Sequence, residues 1–267
     1  MTADRPVVCC DLDGVVWRGE TPIPGAADGV AQLRTAGLRI GFVSNNSSQP
    51  VGEVTAKLAA AGVPASADDV ITSAHAAASL LASALDAGAP VLVCAGPGVV
   101  EALAAAGLRP VKQAPAAAVV VGFHRDFDFD ELDRASSAVR DGARFVATNL
   151  DATYPVAGGL IPGSGAIAAA VATASGHAPE VAGKPEAAMV NLVRERLGST
   201  GIVVGDRPST DGALADALGW PFALVLSGVT AKTAPPGGES IPEPPPPLVA
   251  ADLAALAPAL VKAAAGG

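Results

Sequence analysis

Aromatic side chains are scarce in this 267-residue chain, at 3%, and charged ones make up only 16%. With a hydrophobic content of 50%, that shortage of charge excludes global disorder, because enough apolar surface is available for a buried core. Much of the apolar content is alanine, which packs helices closely onto a sheet but buries little area per residue. Basic residues are also in short supply: 17 Lys and Arg stand against 26 Asp and Glu, a net charge of −9. The resulting pI near 4.7 argues against nucleic acid or an anionic membrane surface as a partner. A small anionic substrate stays compatible, because a local site can be positive inside an acidic protein. No apolar run reaches membrane-spanning length and no basic-then-apolar leader precedes the first apolar segment, so the expectation is a soluble, cytoplasmic protein. Cysteine is rare as well. Cys9, Cys10 and Cys94 are odd in number and lack metal-ligand spacing, so they are expected as small core residues in a reducing cytosol.

What is present is a cadence of Ala/Leu-rich helical stretch, glycine stop and short β-branched run. Stretches 26–36, 51–61, 73–87, 98–106, 130–141, 185–197 and 213–218 each end at a glycine. Glycine at that place accepts the left-handed conformation of a helix C-terminus. The runs between them, such as Phe42-Val43 and Ile202-Val203-Val204, are almost continuously apolar, as parallel strands buried on both faces must be. The expected fold is α/β, a Rossmann-like parallel sheet with helices on both faces. One segment departs in composition, Pro235-Pro236-Gly237-Gly238 through Pro247, and is expected to form a stiff polyproline loop.

The first β-branched run, Val7-Val8-Cys9-Cys10, ends in Asp11-Leu12-Asp13-Gly14. Residues alternate faces along an extended strand, so Asp11 and Asp13 share a side if that geometry persists. Two carboxylates that close resist joint ionisation without a countercharge, and Mg2+ prefers carboxylate and water oxygens. Standing alone, the pair would also fit a solvated strand end. Three further spots follow strands: Ser44-Asn45-Asn46-Ser47 before a helix near Pro50, Gly183-Lys184-Pro185 at a helix start, and Asp206 with Asp211 at a strand-to-helix turn. Each alone fits an ordinary helix cap or a surface lysine. Together they supply a carboxylate nucleophile, a hydroxyl with backbone amides, a lysine and distal acids for Mg2+, the needs of aspartyl-phosphate chemistry at the carboxyl edge of an open sheet.

That order of motifs resembles the haloacid dehalogenase superfamily of phosphatases. The segments Pro22-Ile23-Pro24-Gly25-Ala26, Ser44 to Ser48, Ala147-Thr148-Asn149-Leu150-Asp151, Gly159 to Gly165 and Gly183-Lys184-Pro185 look like its NagD-like, type IIA branch. The branch includes p-nitrophenylphosphatase-like, phosphoglycolate, glycerol-phosphate and pyridoxal-phosphate phosphatases. The resemblance implies that Asp11 attacks phosphorus and that Asp13 protonates the leaving alcohol and then activates water, reaching the metal through its backbone carbonyl. It also implies that Ser44, Asn45 and Asn46 hold phosphate, that Lys184 offsets charge on nucleophile and phosphate, and that Mg2+ is held by Asp11, Asp13 and Asp206 with Asp211 behind them. A cap inserted at 76–175 is implied, leaving a discontinuous core of 1–75 and 176–267 and bringing Asn149 and Asp151 over the reaction centre.

Two places depart from the branch pattern. Ser209 stands where an acid is common, so one carboxylate near the metal is missing. His124 follows the strand Val119 to Phe123 where Asp is common, and reads either as a solvent-facing polar residue or as a substrate contact. His75 and His177 have no partner pattern. The expected substrate is a small phosphorylated metabolite such as glycerol phosphate or phosphoglycolate. Pyridoxal phosphate, or a non-hydrolytic phosphoacceptor signalling domain, are the alternatives, and a homodimer is an open expectation.

Overall fold

A computed structural model of the chain describes residues 7–156, 159–231 and 238–265. Two parallel sheets organise it. The larger runs in the order Leu248–Ala250, Phe222–Val225, Gly201–Gly205, Val7–Cys10, Arg39–Ser44, Val70–Thr72, with every neighbouring pair parallel. The apolar run of the first strand serves two faces at once. Val7 and Cys9 join one core cluster with Leu192 and Val203, and Val8 and Cys10 join the other with Phe42 and Leu253. This burial on both faces is the reason the strand shows no polar alternation.

The second sheet is also parallel, in the order Glu180–Val181, Arg144–Ala147, Ala118–Val121, Pro90–Cys94, Arg109–Val111. Helices Phe129–Arg140 and Ser164–Ser175 cover one face, and Ser73–Ala82 and Pro97–Ala105 pack together on the other. Four of its five strands fall in the interval 76–175, and the fifth, Glu180–Val181, lies beyond it. Position 76 falls inside helix Ser73–Ala82, which contributes to the core cluster shared with Ala187–Leu197. The expected α/β architecture, a parallel core sheet with a separate parallel-sheet insertion, is the one observed.

Local differences have local causes. Helix Ser73–Ala82 stops short of 87, because the amides of Ala84 and Leu85 both donate to the Leu81 carbonyl and close the end as a turn. Pro185 is not the first helical residue: the Glu186 amide donates to the Gly183 carbonyl, and helix Ala187–Leu197 starts after that turn. Within the proline-rich stretch, 232–237 lie outside the described residues. Beyond them Glu239–Ser240 pairs with Thr230–Ala231 as a short two-residue strand, and Pro244 to Pro247 follow in irregular backbone outside any strand or helix. His75 has a role after all: its Nδ1 accepts from the Thr72 amide and closes a capping box on helix Ser73–Ala82.

Candidate active site

The carboxyl edge of the larger sheet opens into a cavity of about 920 Å³. Its floor holds Asp11, Asp13, Ser44, Asn45, Asn46, Lys184, Asp206 and Asp211, and the inserted layer adds Phe123, Arg125, Asn149, Asp151, Thr153 and Tyr154. Each floor residue follows a parallel strand or opens the next helix, where an open α/β sheet places its ligands.

Lys184 is the hub. Its Nζ donates to Asp11 Oδ1 at 2.6 Å, to Asp211 Oδ1 at 2.6 Å and to the Val43 carbonyl at 3.1 Å. All three ammonium protons are thereby taken by the protein, so Lys184 has no proton left over for a further hydrogen bond. Burial alone would lower this ammonium, but the carboxylates of Asp11 and Asp211 outweigh it and hold it above its ordinary value. The lysine is set in place from its backbone: Asn45 Oδ1 accepts from the Lys184 amide at 2.8 Å.

Asp206 completes the cluster. Its Oδ2 accepts from the Val229 amide at 2.6 Å, and the Arg207 amide donates to Asp211 Oδ2 at 3.1 Å. Burial, reinforced by the charge of Asp211, pushes Asp206 up to about 7. Carboxylate oxygens of Asp11, Asp206 and Asp211 lie within 4.8 Å of one another, and all three residues are buried. Three buried carboxylates against one lysine leave an excess of negative charge that a divalent cation fits. Two glycines allow the close packing. A Cβ on Gly14, whose φ is +89°, would lie 2.4 Å from the Asp206 carboxylate, and one on Gly228 would lie 1.7 Å from its Oδ2.

Asp13 lies outside that group of three. Its Oδ1 accepts from Trp17 Nε1 at 3.1 Å, and Lys57 Nζ sits 4.6 Å from the centre of the indole ring. Burial raises the Asp13 carboxyl, opposed by the charge of Lys57 and by the Trp17 hydrogen bond. A carboxyl that keeps its proton more readily suits a proton donor.

The other expected residues divide. Ser44 lines the cavity, and its Oγ accepts from the Asn46 amide at 3.0 Å, leaving its own proton to donate. The side chains of Asn45 and Asn46 are engaged by the protein: Asn45 holds the Lys184 backbone, and Asn46 Nδ2 donates to the Tyr154 hydroxyl at 3.2 Å. Asn149 Nδ2 donates to the Asn45 carbonyl at 2.7 Å, and Ser47 and Thr148 share a 2.9 Å hydroxyl bond, so both tie the inserted layer to the floor. Asp151 lines the cavity 3.8 Å from Arg207. His124 is absent from the lining. Its Nε2 meets Glu131 at 2.7 Å inside the inserted layer, so neither the solvent-facing nor the substrate-contact reading describes its side chain.

Some lining residues were not expected. The loop 227–229 closes over Asp206, with Ser227 Oγ donating to the Gly14 carbonyl at 2.7 Å. It follows strand Phe222–Val225, so the strand-end rule could have found it. Arg18, which donates to the Ser227 carbonyl, and Arg207 carried no such signal. At the position of the missing acid, the Ser209 amide donates to Glu239 at 3.0 Å, so a carboxylate reaches this turn from a distant strand.

Comparison with known proteins agrees with this geometry. Residues 8–109 match the family profile of haloacid dehalogenase-like hydrolases, and 181–256 match a second profile described as HAD-hydrolase-like. The chain is 43% identical over 222 residues to a D-glycerol 3-phosphate phosphatase of Mycobacterium tuberculosis, covering 82% of this chain and 62% of that protein. A crystal structure of the glycerol phosphate phosphatase of that organism in complex with magnesium superposes with a TM-score of 0.83 at 38% identity, over 94% of this chain and 77% of that one. The p-nitrophenyl phosphatase from Archaeoglobus fulgidus gives a TM-score of 0.85 at 31% identity, over 96% of this chain and all of that one. The chain belongs to the haloacid dehalogenase-like hydrolases, in their NagD-like, type IIA branch. Within that family it is a phosphoric monoester hydrolase, which removes the non-hydrolytic phosphoacceptor alternative.

Proposed function

We propose that this chain is a Mg2+-dependent phosphatase working through an aspartyl phosphate on Asp11, with a three-carbon ester such as glycerol phosphate or phosphoglycolate as substrate. The observation that carries the reading is the buried group of Asp11, Asp206 and Asp211 at the cavity floor, with Lys184 bonded to both Asp11 and Asp211. Lys184 occupies Asp11 Oδ1, which leaves Oδ2 to attack phosphorus while the ester P–O bond breaks. Asp13 gives its proton to the departing alkoxide, then takes one from the water that attacks the phosphorus of the acyl phosphate. Cleavage of that P–O bond returns the Asp11 carboxylate and releases inorganic phosphate. Mg2+, held by Asp11 and Asp206 with Asp211 behind them, supplies positive charge for the phosphoryl oxygens. The Ser44 hydroxyl is free to donate to a phosphoryl oxygen.

The glycerol-phosphate reading draws on the mycobacterial relative and on the polar rim of Asp151, Tyr154 and Arg207. Pyridoxal phosphate is the second reading. A cavity of about 920 Å³ exceeds the needs of a three-carbon ester, and Phe123 and Tyr154 stack at 4.6 Å between ring centres on its wall. A panel of phosphate esters with Mg2+ separates the two, because kcat/KM should be highest for glycerol phosphate or phosphoglycolate. A clear preference for pyridoxal phosphate would select the second reading, and turnover unaffected by metal removal would refute both.

A further inference from the structure

Among the described residues, a second group of metal-ligating side chains lies outside the catalytic cavity. Ligand atoms of Cys94, His124 and Glu131 all lie within 4.8 Å of one another. Cys94 ends strand Pro90–Cys94, His124 follows the neighbouring strand Ala118–Val121, and Glu131 sits in the first turn of helix Phe129–Arg140. They meet at the carboxyl edge of the second sheet, with Phe127 edge-on to the imidazole.

The hydrogen-bond inventory of the imidazole is specific. A backbone carbonyl only accepts, so the 3.1 Å contact between His124 Nδ1 and the Gly122 carbonyl puts a proton on Nδ1. In the neutral ring Nε2 is then a bare lone pair, yet it faces Glu131 Oε2 at 2.7 Å. Two acceptors approach that closely only with a cation between them, either a second proton or a metal ion. The third group at this point is the buried Cys94 thiol. Burial and the nearby Glu131 charge push that thiol up, so it does not ionise unaided. A bound cation reverses this by removing the proton outright. A carbonyl holding the far ring nitrogen is also the usual support of a metal-bound histidine.

We propose that Cys94, His124 and Glu131 bind Zn2+ in the inserted layer, as a site separate from the catalytic carboxylates. Thiolate, imidazole and carboxylate form a donor set suited to Zn2+, whereas Mg2+ takes oxygen ligands. Ligand distances of about 2.0–2.3 Å put neighbouring donors about 3.3–3.7 Å apart in a tetrahedron, so Nε2 and Oε2 separate by only about 1 Å to admit the ion. Binding releases the Cys94 proton and displaces the one otherwise held between His124 and Glu131. Phe123 and Arg125, on either side of His124, line the catalytic cavity, so the ion braces that wall from behind.

The test uses Co2+ as a spectroscopic stand-in for Zn2+, titrated into the full chain with excess Mg2+ occupying the oxygen-rich catalytic group. The expected result is a thiolate-to-cobalt charge-transfer band that saturates at one equivalent and disappears when Zn2+ is added. Cys94→Ser should abolish the band, and His124→Asn and Glu131→Gln should each weaken cobalt binding by more than about tenfold. Thermal midpoints in EDTA establish that the variants fold, and if Cys94→Ser does not, the other two variants carry the test. No band in the unaltered protein, or a band unchanged in the variants and therefore arising from Cys9 or Cys10, would overturn the proposal.

Discussion

Replacing Lys184 by Met removes the one ammonium that faces Asp11 and Asp211 while keeping the length of the side chain. The lysine is 5% exposed and makes three hydrogen bonds, two of them to carboxylates at 2.6 Å. Breaking a buried ion pair from one side costs about 3–5 kcal/mol, because the remaining charge is left uncompensated. At roughly 2–4 °C per kcal/mol for a domain of about this size, the unfolding midpoint in EDTA should fall by roughly 6–20 °C. The variant should also gain more from Mg2+ than the unaltered protein does, since the cation replaces the lost ammonium among three buried carboxylates. Turnover with Mg2+ should drop by about 10²–10³-fold, the scale of losing one electrostatic stabiliser. Thermal unfolding of both proteins in EDTA and in Mg2+, with initial rates, measures all of this. Equal midpoints in EDTA, or a smaller Mg2+ shift in the variant, would refute the reasoning.

Trp17→Phe removes the indole donor from Asp13 and should lower kcat on alkyl phosphates more than on p-nitrophenyl phosphate, whose leaving group needs little protonation; equal losses would make Trp17 merely structural. Asp151→Ala should change kcat/KM unevenly across glycerol phosphate, phosphoglycolate, pyridoxal phosphate and p-nitrophenyl phosphate, and a uniform change would show that this residue does not read the alcohol. His75 is pushed down to about 4 by burial, so its stabilising contribution is complete above about pH 6.5 and is lost as pH falls toward 4. Relative to His75→Gln, which can retain the capping box, the unaltered protein should lose up to about 3 kcal/mol between those values in denaturant titrations, and parallel pH profiles would contradict this.

The site could be read in the sequence wherever a functional side chain directly follows a parallel strand. Asp11 and Asp206 directly follow their strands, Ser44 ends one and Asp13 lies three residues beyond Cys10, the end of the first, and glycine stops with apolar runs locate the strands that carry them. Lys184 was legible through its motif, but its saturation by Asp11, Asp211 and Val43 depends on three separate strand ends. Side-chain allegiance was less legible. Asn45, Asn46 and Asn149 sit beside the cavity, yet their amides bind backbone or the Tyr154 hydroxyl, because the close approach of two layers needs polar groups to pair across it. His124 is one residue from Phe123 on the cavity wall, but it turns instead to Glu131 on the following helix. Glu239 meets Ser209 from 30 residues away, a pairing that no local pattern encodes.

The central claim is that phosphate is carried by Asp11. Rapid acid quenching during turnover, followed by borohydride reduction, converts an aspartyl phosphate to homoserine, and peptide mass analysis then gives its position. The account predicts homoserine at position 11, dependent on substrate and Mg2+ and absent in Asp11→Asn. Homoserine at Asp206 or Asp211, or none at any position during full turnover, would contradict it.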